Sequence, residues 1–473
     1  MPLLRRIVFY VFVAIYLTSC PLTILYALGY LFTPGTERGF VKTGLMYVST
    51  APPGASIYLG KKRYTKHTPT ALQGLLADQY ALTLILKGYQ LWSRIVSIEP
   101  EKATVLDKVL LLPNTLTEEE LMTGPFDDLV PIPGTHFLLL FKGPKCGDIL
   151  VYDWETKTGW PLISTNSPYY VSHVMAHVVV KDSPFVLFRV KLRGVERFLG
   201  IELRNNETRL TDLTSLFPNK PRWVEWDALR SHQLFSVQGN FVNRLDSKAM
   251  AIYPRIIEGF QGFGVGHDAV YVLTEGDVLQ RVDREGRHVD TFSDTPVLGL
   301  SHVGGKGFFR ITPLAEDLIL LLGERGQLLG NHVPYQYVEE GVRGFEFDAP
   351  RERLLVWRKS ELGILDVSSR NEEEAKSLEG PSLTWVFEEG KDIEQGFWVY
   401  DGSHILFRDR TAVSLLEVQT YGAPIRHPLV RARAGSSVAY SERSGMLYYV
   451  KPVTGALAAV EIVPHERAAR YEQ

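Results

Sequence analysis

His173 and His177, in the run His-Val-Met-Ala-His, have the spacing that aligns two zinc ligands on one face of a helix. Val174 stands where a zinc protease would carry its glutamate. In a strand, two residues four apart lie about 13 Å from each other, too far to share a metal. Gly262, Gly264 and Gly266 suggest a dinucleotide loop, but the third glycine of that fingerprint falls on His267 and no helical pattern follows. A turn with close backbone packing is the simpler reading. Gly299-Leu300-Ser301-His302-Val303 lacks the closing glycine of a nucleophile elbow and the helix after it. The acids between Asp283 and Asp290 lack the spacing and distal glutamate of a calcium loop. Asn206-Glu207-Thr208 fits a glycosylation sequon by pattern, and Glu372-Glu-Glu-Ala-Lys376 reads as a surface loop or short helix. No catalytic, metal or cofactor set emerges from these motifs, and none is expected.

One charge cluster stands apart. Lys61, Lys62, Arg63 and Lys66, with His67, fall on what reads as a hairpin. They are either a solvated tip or a contact for anionic lipid headgroups or acidic cell-wall polymer. The whole chain carries 51 basic against 54 acidic residues, a net charge of -3. That balance argues against a nucleic-acid partner. With only Cys20 and Cys146 in 473 residues, stability must come from core packing, for which 45% hydrophobic residues give ample material.

The N-terminus places these segments relative to a membrane. Arg5 and Arg6 precede residues 7–32, which contain no charged residue. Such a run exceeds the roughly 30 Å hydrocarbon core and is expected to span a bilayer with tilt, kinked at Pro21. The expectation is a cytoplasmic end at 1–6, a signal anchor over 7–33 and the rest of the chain extracytoplasmic. Leu17-Thr18-Ser19-Cys20 also resembles a lipobox, which would make Cys20 a lipidated residue, although Pro21 and a further apolar stretch follow it. A plain cleaved signal is the third reading.

Residues 44–113 show short apolar runs broken by Pro52-Pro53-Gly54-Ala55, Gly60, Thr68-Pro69, Gly74-Leu75 and Gly88-Tyr89. Tyr80, Leu82, Leu84 and Leu86 alternate onto one strand face. This order of residues resembles the PEGA domain, with Pro53 in place of the motif's acid. The resemblance implies a small extracytoplasmic β-sandwich that accompanies bacterial envelope proteins and is suspected of binding carbohydrate or other surface components.

Residues 114–128 read as a linker, with a short helix opened by the capping-box spacing from Thr117 to Glu120. Residues 129–463 repeat one unit: an apolar strand, a polar turn and a second, strongly apolar strand. Copies begin at Trp223, Phe345, Phe397 and Val438, with weaker ones near Val130, Val178, Phe263 and Phe309. Their spacing of about 44 residues matches propeller blades. The fold expected is all-β: a transmembrane helix, a PEGA-like sandwich, a β-propeller of eight blades favoured over seven, and a polar tail at 464–473. The blade rhythm resembles bacterial TolB-like and quinoprotein-like propellers, and a pair of stacked sandwiches is the alternative.

The function expected is a membrane-anchored extracytoplasmic binding or scaffold protein of the cell envelope, engaging carbohydrate, cell-wall polymer or an envelope protein through propeller loops. A scaffold predicts no cluster of polar groups with shifted ionisation in the channel. A propeller hydrolase or lyase predicts acids, histidines or arginines from several blades at one mouth. An accessory subunit predicts a large exposed apolar patch.

Overall fold

The computed structural model describes residues 2–27, 30–32, 40–143, 148–164, 169–180, 183–204, 207–227, 229–291, 307–315, 318–330, 336–367, 383–418 and 422–464. Cys146, Asn206, Ser301, His302, 372–376 and 465–473 lie outside these. Helix α1 (Pro2–Ala27) opens the chain. The span expected over 7–33 is corrected: Tyr30–Phe32 is a strand paired with Phe40 to Lys42, and no helix among the described residues is long and apolar enough to cross a membrane. What α1 presents is apolar surface, with Phe9, Tyr10, Phe12, Tyr16 and Leu17 each 61–68% exposed. Cys20 is a free, partly exposed thiol inside this helix.

The next segment is a sandwich of two four-stranded sheets. One contains Phe40–Ala51, Thr70–Leu76 and Ala103–Leu110; the other contains Ser56–Leu59, Lys62–His67, Asp78–Ile85 and Trp92–Ile98. Leu82 and Leu84 are fully buried between them with Met46, Val48, Ile57 and Leu106, as alternation over residues 80–86 requires. The turn motifs meet in one corner. The Thr68 hydroxyl accepts the Ala55 amide at 2.9 Å and shares a 2.6 Å hydrogen bond with Thr50, while the Gly54 amide donates to the Thr68 carbonyl at 2.7 Å.

Eight antiparallel four-stranded units, called sheets here, follow among the described residues, the fourth and fifth joined by a parallel strand pair into one eight-stranded sheet. Sheets I to VIII open on Phe126–Pro131, Tyr169–Val180, Trp223–Trp226, Phe260–Val265, Phe309–Pro313, Gly344–Asp348, Ile393–Val399 and Ala439–Ser441. Every repeat start read from the sequence falls on or directly beside one of these strands. Each sheet is apolar on both faces and buries them against its two neighbours. Phe141 and Phe188 share one cluster between sheets I and II, and Leu355 and Phe407 share another between VI and VII. Tyr152 and Leu138 meet Tyr448 and Val450 between VIII and I, so the packing returns to its start in a propeller-like circuit.

Two local findings differ from expectation. The short helix expected within 114–128 is a strand, Glu118–Met122, which pairs with Leu457–Glu461 and completes sheet VIII. The capping pattern loses to tertiary pairing. Lys451 lies 3.3 Å from Glu118 and Lys157 lies 2.8 Å from Glu119, while Leu121 and Met122 pack on the cluster between sheets VIII and I. The second is the Gly262–Gly266 segment, where Gly262 and Gly264 lie in a strand instead of a turn. The opening strands of sheets IV and V run close enough to pair in parallel there, and a side chain at Gly264 would strike the Ile311 carbonyl.

Candidate functional site

In sheets III, VI, VII and VIII an acid ends the first strand or lies in the turn after it: Asp227, Asp348, Asp401 and Glu442. In sheets VI, VII and VIII these turns lie side by side. Asp348 and Glu346 leave the same face of Gly344–Asp348, because strand side chains alternate. Asp401 sits between Tyr400 and Gly402, all three with left-handed backbone at φ 50°, 56° and 62°. Such geometry in two non-glycine residues is a local strain of the kind that marks functional turns.

Hydrogen bonds fix the constellation across three sheets. The Trp398 amide donates to Glu346 Oε2 at 2.8 Å, and the Asp401 amide donates to Glu442 Oε1 at 3.1 Å. Arg353 donates to Asp348 Oδ2 at 3.1 Å and to the Gly402 carbonyl at 2.6 Å, while its guanidinium lies 4.7 Å from the Trp398 ring centre. Arg351 bridges Asp348 and Asp401. The sandwich adds one cation, Lys108, 2.5 Å from Asp401 Oδ2.

Two cavities flank this cluster, of about 770 Å³ and 620 Å³. Glu346, Glu442 and Arg443 line both and form the wall between them. Tyr440 lines the larger one, its phenol pushed up by burial and by the neighbouring Glu442 carboxyl. Burial pushes the Glu346 carboxyl up to about 7, with Glu442 and Asp348 adding to the rise against the opposing Trp398 amide. Glu442, exposed at the rim, is also raised, chiefly by desolvation of its carboxyl. Desolvated acids gathered in a cleft are a common mark of a binding or catalytic site.

The raised Glu346 has a consequence for stability. Folded Glu346 keeps its proton up to about pH 7, whereas the unfolded carboxyl loses it near 4.5. The folded state therefore binds more protons between those values, and this residue's contribution falls as pH rises through the window. Partly buried Glu225, also pushed up to about 7 by desolvation, acts in the same direction. His404 acts oppositely in acid: buried and held down to about 3, it makes the fold lose stability as pH drops below 6.5. Glu346→Gln is expected to flatten the decline between pH 4.5 and 7 and to raise the melting temperature at pH 8 above that of the parent. Thermal unfolding at pH 5 and pH 8 checks this, and an unchanged slope would count against a protonated Glu346.

The residues singled out from sequence lie elsewhere. Lys61, Lys62, Arg63, Lys66 and His67 are exposed on and beside the edge strand Lys62–His67, and none makes an ion pair among the described residues. Lys62 and Arg63 lie against Tyr64 and Tyr58, at 4.9 Å and 5.9 Å. His173 and His177 are on strand Tyr169–Val180, opposite Arg189 and Val186. Asp283 caps its own turn, accepting the amides of Glu285 and Arg287 at 2.9 Å and 2.8 Å. Among the described residues no group of three or more His, Cys, Asp or Glu side chains is placed to hold a metal. Sequence reasoning passed over Glu346, Asp348, Asp401 and Glu442, although the recurring acid at the first turn was a usable signal.

Residues 43–112 match the PEGA domain family. No curated protein matches the chain in sequence. Among solved structures, the chain is similar to hydrazine synthase of Kuenenia stuttgartiensis, at 9% identity and TM-score 0.39 over 72% of this chain and 96% of that one. It is similar to oligogalacturonate lyase of Vibrio parahaemolyticus at 10% identity and TM-score 0.39, over 71% and 98%. A putative 6-phosphogluconolactonase of Bacteroides uniformis gives 12% identity and TM-score 0.36, over 67% and 96%. No site residue is carried over from any of them.

Proposed function

We propose that this chain, which carries a PEGA domain at residues 43–112, is an extracytoplasmic binding protein of the cell envelope. In this reading the eight sheets form an eight-bladed β-propeller whose cleft between sheets VI, VII and VIII takes the ligand. The observation that carries it is the convergence of Glu346, Asp348, Asp401 and Glu442 from three successive sheets on adjoining cavities. Asp348 and Asp401 are closed in ion pairs, but Glu346 and Glu442 are desolvated acids at the shared wall, and these favour a binding role over a pure scaffold.

Membrane attachment through α1 belongs to the same proposal. Its support is the charge-free run 7–32 and the exposed apolar side chains of the helix. The exposed cations Lys61, Lys62, Arg63 and Lys66 fit a contact with anionic headgroups or acidic polymer near that surface. Co-flotation of the full chain with anionic liposomes, lost on removing 1–27, is the outcome that supports attachment, and flotation unchanged by that removal would count against it.

A second reading rests on Glu346 itself. A carboxyl protonated near neutrality beside a second acid is the arrangement by which hydrolases and lyases supply a proton. Both readings are tested by screening the purified chain against arrayed envelope and extracellular glycans, then repeating with Glu346→Gln. Binding that weakens as pH rises through 7 in the parent, and stays level in Glu346→Gln, is the result expected of a ligand held by the neutral acid. Release of shortened product by the parent alone favours the enzyme. Retention of no glycan by either protein, at any pH, counts against the cleft as a carbohydrate site.

A further inference from the structure

A third cavity lies beside the two that flank Glu346. It has a volume of about 630 Å³ and is walled by the PEGA domain at Tyr89, by the closing strand at Glu119 and Leu121, and by sheets I and VIII. Trp154 and Ser444 line both this cavity and the 770 Å³ one, as Glu346, Glu442 and Arg443 line both of the others. Three concavities therefore stand in a row, each sharing a wall with the next. Any one of them has the volume of a complete small-molecule site, about 300–1,000 Å³. A row of three is more than a single sugar or metabolite needs.

The walls have a consistent chemistry. Trp154 stacks on Tyr448 with ring centres 5.1 Å apart and planes 13° from parallel, which sets a rigid aromatic platform between the outer and central cavities. Tyr152 in the outer cavity has a buried hydroxyl with no hydrogen-bond partner among the described residues, and Tyr440 adds a second phenol in the central one. Unpaired buried donors are costly, and they mark places where water or a ligand group completes the structure. Flat apolar faces alternating with hydroxyls and carboxyls suit a chain whose units each have an apolar face and a rim of hydroxyls.

Charge narrows the class. Several cations along the row are already committed: Arg351 to Asp348 and Asp401, Arg443 to Glu155, and Lys157 to Glu119. Glu346 has no cation in contact among the described residues, and its carboxylate accepts a backbone amide instead. A polyanion would meet carboxylates along the row with little positive charge to receive it. We propose that the three cavities are successive subsites of one groove, which takes an uncharged polysaccharide lengthwise across the end of the ring. This rests on the reading of the Glu346 cleft as a ligand site and adds its substrate class.

The test is titration calorimetry of the full chain with neutral oligosaccharides of glucose, mannose and N-acetylglucosamine, from disaccharide to octasaccharide. Affinity is expected to rise at least about tenfold between disaccharide and hexasaccharide. Tyr152→Phe deletes one unpartnered hydroxyl without opening a cavity, and is expected to lower hexasaccharide affinity several-fold at a melting temperature no lower than the parent's. Trp154→Ala is expected to remove the dependence on length. Affinity that does not change with length would overturn the groove and leave the cleft standing as a single site. Preference for oligolysine or oligogalacturonate over every neutral oligomer would overturn the substrate class alone. Failure of all these probes, in parent and variants alike, would overturn the groove together with the reading it rests on.

Discussion

Replacing Asp227 with alanine is expected to destabilise the ring by about 3–5 kcal/mol, the usual cost of stranding one partner of a buried ion pair. Asp227 is fully buried at the first turn of sheet III, and Arg284 of sheet IV is 7% exposed. Arg284 Nε donates to Asp227 Oδ2 at 2.7 Å. The same guanidinium donates to the carbonyls of Asp268, Gly266 and His267 at 3.0, 3.2 and 3.0 Å. One side chain thus ties the first turn of sheet IV to that of sheet III. Asp227 Oδ1 also accepts the Leu229 amide at 2.9 Å, so alanine removes a turn cap as well. With the carboxylate gone, three carbonyls still hold the guanidinium in place with no counter-charge, and moving it to water would break all three bonds. Asp227→Asn keeps an acceptor and should cost less. Urea unfolding of both variants gives the comparison, and a midpoint for Asp227→Ala within error of the parent would overturn the assignment.

Asp227 also shows what could be read in the sequence and what could not. The repeat was legible because its signal is local: apolar alternation gives a strand, and Gly, Asp and Ser end it. The corner of the PEGA domain was legible for the same reason, since Gly54, Ala55 and Thr68 are fixed by short-range turn chemistry. What failed depends on contacts distant in the chain. Glu118–Met122 is a strand only because Leu457–Glu461 offers it an edge more than 300 residues later. The acid at the first turn is the sharpest case. In Asp227 it is structural, closed off by Arg284, whereas in Asp348, Asp401 and Glu442 it borders a cleft. The four look alike in sequence, and their neighbours in other sheets decide which role each takes.

The sandwich and the ring are joined by a second buried pair, and Glu417→Ala is expected to separate them. Glu417 in sheet VII receives Arg94 of the PEGA domain at 2.6 Å, and the Trp92 indole donates to its two oxygens at 3.1 Å and 3.3 Å. The two charged side chains are 9% and 3% exposed, so water cannot take the place of the lost carboxylate without opening the interface. Around this pair, Ala51, Leu110 and Leu112 pack on Val399, Leu406 and Val413. Burial of that apolar patch favours docking, but alanine leaves the Arg94 guanidinium beside the Trp92 ring and two histidines, His404 and His427, with the Ala423 carbonyl at 3.0 Å as its remaining acceptor and no counter-charge among the described residues. A penalty of about 3–5 kcal/mol falls on the interface alone, because each unit keeps its own core. The PEGA domain should then open as a separate unit, with faster amide exchange over 43–112 and new cleavage near 114–117, while sheets I to VII keep their protection. Glu417→Gln, which retains the acceptor but loses the charge, should fall between the two. Because Lys108 reaches Asp401 only from the docked PEGA domain, the same variant should also loosen the turn at 400–402. Exchange at that turn is therefore the discriminating readout. If it stays at the parental rate while the PEGA domain opens, Lys108 does not help to hold the site, and the two units meet for reasons of packing alone.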